Sequence, residues 1–380
     1  MAISNQLHIL IIPAWFQSAC EGNTGIFVRE QAVELARAGH RVGLIYLSEY
    51  TAEEYNLNED NYTEWIIPIK RYVNKWTKYL YLCNEYYTFY RRYTDKFGTP
   101  DLIHSHGLYS LIPAIYIRLR KGINIIHTEH LRSLMTVARW SKLKWAARFL
   151  YIFPRSIIVP GTVLYEKLRP MAPKKTVFIP GTVHRTYFNI PRDEKSNTSD
   201  VALLCVSDLD DNKGQSLLLS ALKKIISKDY PVFLHLVGDG PNKELLEKYI
   251  LDNHLGSTVR MHGKKTREEI LELMPLIDLY TTATVSESFG MHIAEALAAG
   301  IFTITYDCKG PEFFLKPNNS IIFYDYNENS FASAIISAID LLDTHNTKMI
   351  SDSVRNLIHP DIVIPQIIRE YHEILGNEYQ

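Results

Sequence analysis

Cysteine is scarce and scattered in this chain: Cys20, Cys83, Cys205 and Cys308 form no CxxC pair and have no histidine at ligand spacing. That argues against a disulfide scaffold and a zinc site, and a reduced, intracellular chain is the simple expectation. G-x-G-x-x-G is missing too, so no nicotinamide-type fingerprint is expected. No apolar run reaches membrane-spanning length. The stretch from Phe149 to Tyr165 comes nearest, and Pro154, Arg155 and Pro160 interrupt it. No secretory leader opens the sequence, so a soluble or peripheral protein is expected, cytoplasmic or held at the inner face of the membrane. Basic runs and nucleic-acid motifs are lacking, which argues against nucleic acid as a partner. Repeats and low-complexity tracts are also absent.

What is present begins with length. At 380 residues the chain is long for one hydrophobic core and comfortable for two. The formal net charge of −1 hides an uneven division. Residues 1–195 carry 26 Lys and Arg against 16 Asp and Glu, and the remainder carries 15 against 26. Different partners for two domains are the expected consequence.

The most informative stretch is Ser286 to Gly300. An apolar, β-leaning segment, Leu276–Tyr280, precedes it, and another, Ile301–Tyr306, follows. Met291–Ala299 between them is rich in Ala and Leu and stops at Gly300, the pattern of a short helix with a C′ glycine. Strand, polar loop, helix and strand make a βαβ unit, and open α/β sheets bind ligands at such a loop. Backbone N–H groups of Ser288, Phe289 and Gly290 at a helix N-terminus suit a phosphate or an oxygen-rich ligand. Glu287 at the helix mouth and Glu295, tilted back toward it, can accept hydrogen bonds from sugar hydroxyls. An isolated glutamate pair of this kind reads more simply as a cap and a solvated face.

The whole string is more specific than the pair. Glu287 and Glu295, separated by seven residues, with Phe289-Gly290 inside and Ala296-Leu297-Ala298-Ala299-Gly300 behind, resemble the retaining glycosyltransferases of family 4. The resemblance covers most of the chain. It implies an α/β GT-B fold, with two Rossmann-like doubly wound domains facing a central cleft, and a nucleotide-sugar donor. Residues 1–190 would be the acceptor-binding domain, 191–200 a linker and 201–358 the nucleotide-sugar domain. Residues 359–380 would form a helix that crosses back to the first domain.

Further stretches carry the same resemblance. His8–Ile12 reads as a first strand, the loop Pro13–Thr24 follows, and a helix starts at Gly25-Ile26. In the family this glycine-containing loop lies against the donor diphosphate, a role that passes to Gly25. Pro100–Gly107 reads as a strand running into a polar loop, and Asn124–His130 as a strand ending in three polar residues. The family's histidine after a Thr-Glu pair reaches the donor sugar, and that match falls on His130. His104 and His106 read as packing or acceptor-side residues. After the strand Val201–Val206 the family places Gly-Arg-Leu and then Lys-Gly, whose Arg and Lys grip the diphosphate. Lys213 is present here, but Asp208 stands where the arginine belongs. In a low-dielectric cleft that exchange could cost several kcal/mol of transition-state stabilisation unless another cation compensates. Gly263-Lys264, with Lys265 and Arg267, follows the strand Val259–Gly263 near the expected base site and could supply one. Gly310-Pro311-Glu312 reads as a tight turn into a further helix.

Two stretches are aromatic and cationic together: Tyr62–Phe97, and Met135–Arg155 with Arg139, Trp140, Lys142, Lys144, Trp145, Arg148 and Phe149. Such a mixture suits an anionic membrane surface. On a helical wheel residues 137–149 do not separate cleanly, so an ordinary half-buried helix remains the alternative.

The combined expectation is a retaining hexosyltransferase. The donor is a UDP- or GDP-sugar, and the acceptor is a saccharide or lipid-linked saccharide in cell-surface polysaccharide or glycolipid assembly. Glu287, His130 and Lys213 would be the catalytic set. Gly25, Ser288, Phe289, Gly290, Glu295, Gly263 and Lys264 would line the donor. No cofactor and no metal are expected, because N–H groups and lysine can meet the leaving diphosphate. Two other classes stay open: a GT-B epimerase or hydrolase, and a non-catalytic sugar-nucleotide-binding partner of another transferase, which Asp208 favours.

Overall fold

The computed structural model describes residues 6–16, 25–49, 51, 53–69, 75–136, 141–191 and 200–376. The chain divides into two units. One comprises Met1–Thr182 together with Pro360–Gln380, and the other Val183–His359. The first division therefore falls before Val183 rather than after residue 190. The reason is packing: Val183, Tyr187 and Phe188 are buried in the second unit's core. Most of the segment 191–200 lies outside the described residues.

The first unit is built on eight strands: β1 (His8–Pro13), β2 (Arg41–Ser48), β3 (Tyr55–Glu59), β4 (Tyr62–Pro68), β5 (Leu102–His106), β6 (Asn124–Thr128), β7 (Ser156–Val159) and β8 (Thr176–Phe178). Their order is β3-β4-β2-β1-β5-β6-β7-β8, and only β3 runs antiparallel to its neighbour. Alternation along β1 shows how the apolar run works. Leu10 and Ile12 join the core on one face, while Ile9 and Ile11 join the core on the other. A strand buried on both sides needs an unbroken apolar sequence, and this one has it.

The hairpin of β3 and β4 is absent from the sequence-based expectation, which took Tyr62 onward only as an aromatic and cationic stretch. The structure splits that stretch into β4 and the helix Lys75–Phe97. On the helix, Cys83, Tyr86, Phe89, Tyr90 and Tyr93 are buried. Spacings of three and four place them on one core-facing stripe, the half-buried alternative.

The helix Lys142–Leu150 behaves differently. Its Ala147 is buried, but Trp145 and Phe149, one turn apart, are 55% and 63% exposed. Residues 137–140, including Arg139 and Trp140, lie outside the described residues.

The helix Pro360–Leu375 belongs to the first unit. Val363, Ile364, Ile367, Ile368 and Tyr371 form its buried face and pack in one core with Ile9, Ile11 and Val28. The Tyr371 hydroxyl bonds His104 Nδ1 at 2.7 Å, and His104 Nε2 bonds Thr128 Oγ1 at 2.7 Å. His104 is therefore a satisfied core histidine.

The second unit has six parallel strands: β9 (Val201–Val206), β10 (Val232–Val237), β11 (Val259–Gly263), β12 (Leu279–Thr282), β13 (Phe302–Tyr306) and β14 (Ser320–Phe323). Their order is β11-β10-β9-β12-β13-β14, the doubly wound order that reverses between its first and fourth strands. The crevice at that reversal is fed by the loops after β9 and β12. The expected helix after Gly310 is absent. Residues 311–314 form a turn, closed by bonds from the N–H groups of Phe314 and Leu315 to the Pro311 carbonyl. Pro317, which lacks an N–H and disfavours helical backbone at Lys316, keeps that turn from extending into a helix.

Candidate active site

The loop after β9 and the loop after β12 are stitched together. Val285 N–H donates to the Asn212 carbonyl at 2.7 Å, and Asn212 Nδ2 donates to the Ser286 carbonyl at 3.2 Å. This brings Lys213 against Glu287, with Nζ 2.5 Å from Oε1. His292 Nε2 lies 3.2 Å from the same oxygen. On its far side, His292 Nδ1 is 2.7 Å from the Tyr280 hydroxyl, which donates to the Val206 carbonyl at 3.1 Å. Burial alone would push the Glu287 carboxyl up, but the His292 hydrogen bond and the Lys213 charge hold it at about 2. Glu287 is thus a carboxylate whenever the protein is folded near neutrality.

Met291–Ala298 is the helix above this cluster, opened by Gly290 at φ 85°. A Cβ at Gly290 would be strained by that backbone and would lie 3.3 Å from Pro311. The first intrahelical bonds run from Ile293 and Ala294 N–H to the Gly290 carbonyl. The N–H groups before them belong to the helix mouth, where partial positive charge gathers. Ser288 is half-buried in that mouth, and the Phe289 ring packs in the core against Phe313 and Phe314. Phe289 can therefore offer a ligand its backbone only.

Glu295, on the second turn, has a separate set of partners. It accepts a hydrogen bond from the buried Tyr187 hydroxyl, and Arg267 acts on it electrostatically. Burial outweighs both and raises its carboxyl to about 7. Gly263 ends β11 at the sheet edge, with β10 and β9 between it and β12. Of the cations near it, Lys265 bonds Glu269, in the capping box of the helix Arg267–Leu273, at 2.5 Å.

In the first unit, the residues expected to meet the sugar gather at the carboxyl ends of β1, β5 and β6. His130 stacks on His106, with His106 Nδ1 3.3 Å from His130 Nε2. Trp15 and Phe27 pack on the His130 ring edges. Gly25, at φ 75°, caps the helix Ile26–Arg37, and a Cβ there would meet the Trp15 carbonyl at 2.8 Å. Only glycine fits that position without strain. Glu129, wholly buried, fixes the backbone of this corner by accepting from the N–H groups of His130 and Leu131 at 2.8 Å each. Its other oxygen accepts from Tyr151 at 2.7 Å and lies 3.2 Å from His127 Nε2. Burial lowers the His130 imidazole to about 4 against the pull of Glu129, so it is neutral near pH 7.

Sequence reasoning missed Tyr187, Tyr280, His292, Asn212 and Glu129. Glu129 adjoins a named residue, and His292 sits inside the named stretch. Neither tyrosine carries a local signal, since each acts on a glutamate from a distant segment.

Two doubly wound units, one of them with a Rossmann strand order, agree with the GT-B fold expected from the sequence. The relation to known proteins places the chain among glycosyltransferases of that fold. Residues 24–186 match the family model of Glycosyltransferase Family 4, and residues 187–352 match that of Glycosyl transferases group 1. The chain belongs to glycosyltransferase family 4. It is 27% identical over 259 residues to the phosphatidylinositol N-acetylglucosaminyltransferase gpi3 subunit of Schizosaccharomyces pombe, a match covering 64% of this chain. The chain spans only 54% of that relative's length. Among solved structures, it resembles sucrose-phosphate synthase from Thermosynechococcus elongatus, with a TM-score of 0.76 and 18% identity, over 97% of this chain and 99% of that one. It also resembles HepE from Anabaena in complex with UDP and glucose, with a TM-score of 0.74 and 16% identity, over 96% and 99%. Among the described residues no helix is long and apolar enough to cross a membrane.

Proposed function

We propose that this glycosyltransferase moves a hexose unit from a UDP- or GDP-sugar onto an acceptor hydroxyl with retention at the anomeric carbon, and without a metal. The observation that carries the proposal is the Lys213–Glu287 pair at the β9/β12 switch point, set at the mouth of the helix Met291–Ala298. Lys213 and the helix-mouth N–H groups stabilise the departing diphosphate, the largest charge that develops in such a reaction. Ser288, Phe289 and Gly290 contribute backbone to that mouth. Glu295, held partly protonated, bonds the ribose, while Gly263 and Lys264 flank the base. Glu287 orients the sugar from the donor side. In the first unit, His130, a neutral imidazole, and Gly25 carry the sugar-side and diphosphate-side roles that the family resemblance gives them. The HepE complex with UDP and glucose supports the donor class.

Thermal stability in the presence of UDP, GDP, ADP and their common sugar conjugates, without added metal, tests the donor assignment. A ligand at about 100 times its dissociation constant adds roughly 2.7 kcal/mol to folding. A shift with one base class fixes the donor family. No shift with any of them removes the proposal. A transfer product with the inverted anomer overturns retention, and a rate abolished by chelator overturns metal independence.

The acceptor is a saccharide or lipid-linked saccharide, in surface polysaccharide or glycolipid assembly. The gpi3 relative's name makes phosphatidylinositol its acceptor and marks it as a subunit of an assembly. The exposed Trp145, Phe149 and Ile152 lie on and just after a helix bearing Lys142, Lys144 and Arg148, which suits an anionic bilayer at the inner face of the membrane. Co-sedimentation with phosphatidylglycerol vesicles, lost in the Trp145→Glu variant, is expected; no binding at low salt overturns the membrane contact. Asp208 favours one other reading, a non-catalytic sugar-nucleotide-binding partner. Nucleotide binding without transfer to any acceptor would select it.

A further inference from the structure

The donor site has a charge deficit. Lys213 brings one positive charge, Glu287 neutralises it, and Asp208 adds a negative charge that acts on His292. With His292 neutral, these side chains sum to −1, and the ligand proposed to bind there is itself a polyanion. Such a pairing is unfavourable unless a cation is gained when the ligand arrives.

We propose that His292 supplies that cation: on binding of a nucleoside diphosphate-sugar its imidazole takes up one proton from solvent and faces the diphosphate beside Lys213. The inference rests on the donor-site reading given above. Its geometry is independent of that reading. His292 and Lys213 donate to the same oxygen of Glu287, so their nitrogens are neighbours. Their side chains and that of Glu287 keep 12, 14 and 13% exposure, open to a ligand yet mostly out of water.

A hydrogen-bond circuit already exists for both charge states. Glu287 is a carboxylate and accepts only, so His292 Nε2 carries a hydrogen in either state. On the other side, the Tyr280 hydroxyl has one hydrogen and two acceptors within reach, His292 Nδ1 at 2.7 Å and the Val206 carbonyl at 3.1 Å. When the hydroxyl donates to Nδ1 the imidazole is neutral. When it donates to Val206, Nδ1 must carry the second hydrogen and the ring is imidazolium. Proton uptake thus costs a rotation of one hydroxyl and leaves every side-chain partner in place. Burial raises the Tyr280 phenol well above its ordinary value, so it keeps its own proton throughout. Burial lowers His292 in the empty site, while Glu287 and Asp208 favour the charged ring and Lys213 opposes it. A diphosphate adds to the favourable side.

Calorimetric titration of UDP-glucose and GDP-mannose into the full chain, in buffers of differing ionisation enthalpy, reads the proton count directly. Neither ligand has a group that titrates near neutrality. Glu295, at about 7 and placed on the ribose, can also exchange a proton on binding, so the test is the difference between wild type and variants. At about pH 7.5 the wild type should take up roughly half to one proton more per ligand bound than His292→Arg or His292→Gln. His292→Gln should also bind about tenfold more weakly, the worth of one charge-assisted hydrogen bond, and His292→Arg, permanently charged, should bind more tightly than His292→Gln. Tyr280→Phe, which leaves the imidazole in place, should reduce the difference. A merely structural histidine would leave the proton count the same in the wild type and both His292 variants. Equal counts overturn the inference and leave the donor site standing. Binding of neither ligand overturns the donor-site reading, and the inference with it.

Discussion

At the carboxyl edge of the first sheet the chain gathers His104, His106, His127 and His130, with one buried carboxylate, Glu129, bonded to His127 and to the His130 N–H. At the corresponding edge of the second sheet it sets Lys213, Glu287 and His292 on one shared oxygen beneath a helix mouth. Both positions are switch points of doubly wound sheets, so topology alone does not tell them apart. Electrostatics does. The first edge is low in charge, with the imidazoles of His104, His106 and His130 held neutral by burial, and suits ligands that present hydroxyl groups. The second carries full charges near solvent and a helix dipole, and suits an anion. One fold module, used twice, is divided between two ligand chemistries by a handful of side chains.

Removing Glu129 should break the comparison hardest. Glu129→Ala would leave Tyr151, His127 and two backbone N–H groups without their acceptor inside the core. A loss of about 3–5 kcal/mol in urea unfolding is expected. A loss under about 1 kcal/mol would show that Glu129 is not the keystone of that corner.

Lys213→Ala should act on rate more than on folding. Turnover is expected to fall about 10²- to 10³-fold, as when one preorganised electrostatic contact is deleted, with the fold kept and a lower melting temperature, because Glu287 loses a charge that holds it ionised. Near-wild-type turnover would separate the ion pair from catalysis.

The two glutamates of the second unit sharpen the contrast through pH. Glu295 binds its proton more tightly folded, at about 7, than its ordinary 4.5. The folded state therefore holds the extra proton between those values. The stability Glu295 contributes is full below about 4.5 and is lost as pH rises through 7, roughly 3 kcal/mol in all. Glu287, at about 2, has the opposite sign: its contribution is present above 4.5 and is lost as pH falls through 2. Glu295→Gln should flatten the decline between about pH 5 and 8 in urea titrations, whereas Glu287→Gln should leave it in place.

The smallest effect concerns His130. Because its imidazole is neutral down to about 4, the kcat/KM profile of the wild type should show no inflection from it between about pH 5.5 and 8. An inflection in that range that vanishes in His130→Asn would mean that the ring is charged in use.

Much of this was legible in the sequence. Fully buried parallel strands favour apolar runs, so β1 and β9 could be read directly; β5, β6 and β13, which carry polar residues, were legible from shorter apolar stretches, as was the helix closed by Gly300. The hairpin of β3 and β4 could not. Its residues Tyr55–Glu59 are mostly exposed, and Tyr62–Pro68 merge into an aromatic stretch without a break in composition. The glutamate spacing marked the second unit's site, but not how its charges are divided. That depends on Tyr187 reaching Glu295 and Tyr280 reaching His292, contacts that are tertiary and leave no periodic trace. The expectation that a cation after Gly263 offsets Asp208 came from adjacency along the chain. In space, the group that shares Lys213's partner is His292, proposed above to take up a proton when the donor binds.

The bond between Tyr371 and His104 also bears on how the protein is made. It links residues 267 positions apart and is part of a core that Val363, Ile364, Ile367 and Ile368 complete. A ribosome delivers β1 first and this helix after the whole of the second unit has emerged. The amino-terminal unit, begun earliest, is thus the last to be finished. Until residue 371 clears the exit tunnel, the part of that core beside the helix Ile26–Arg37 stays open, a long exposure for a growing chain and a natural moment for a chaperone to act.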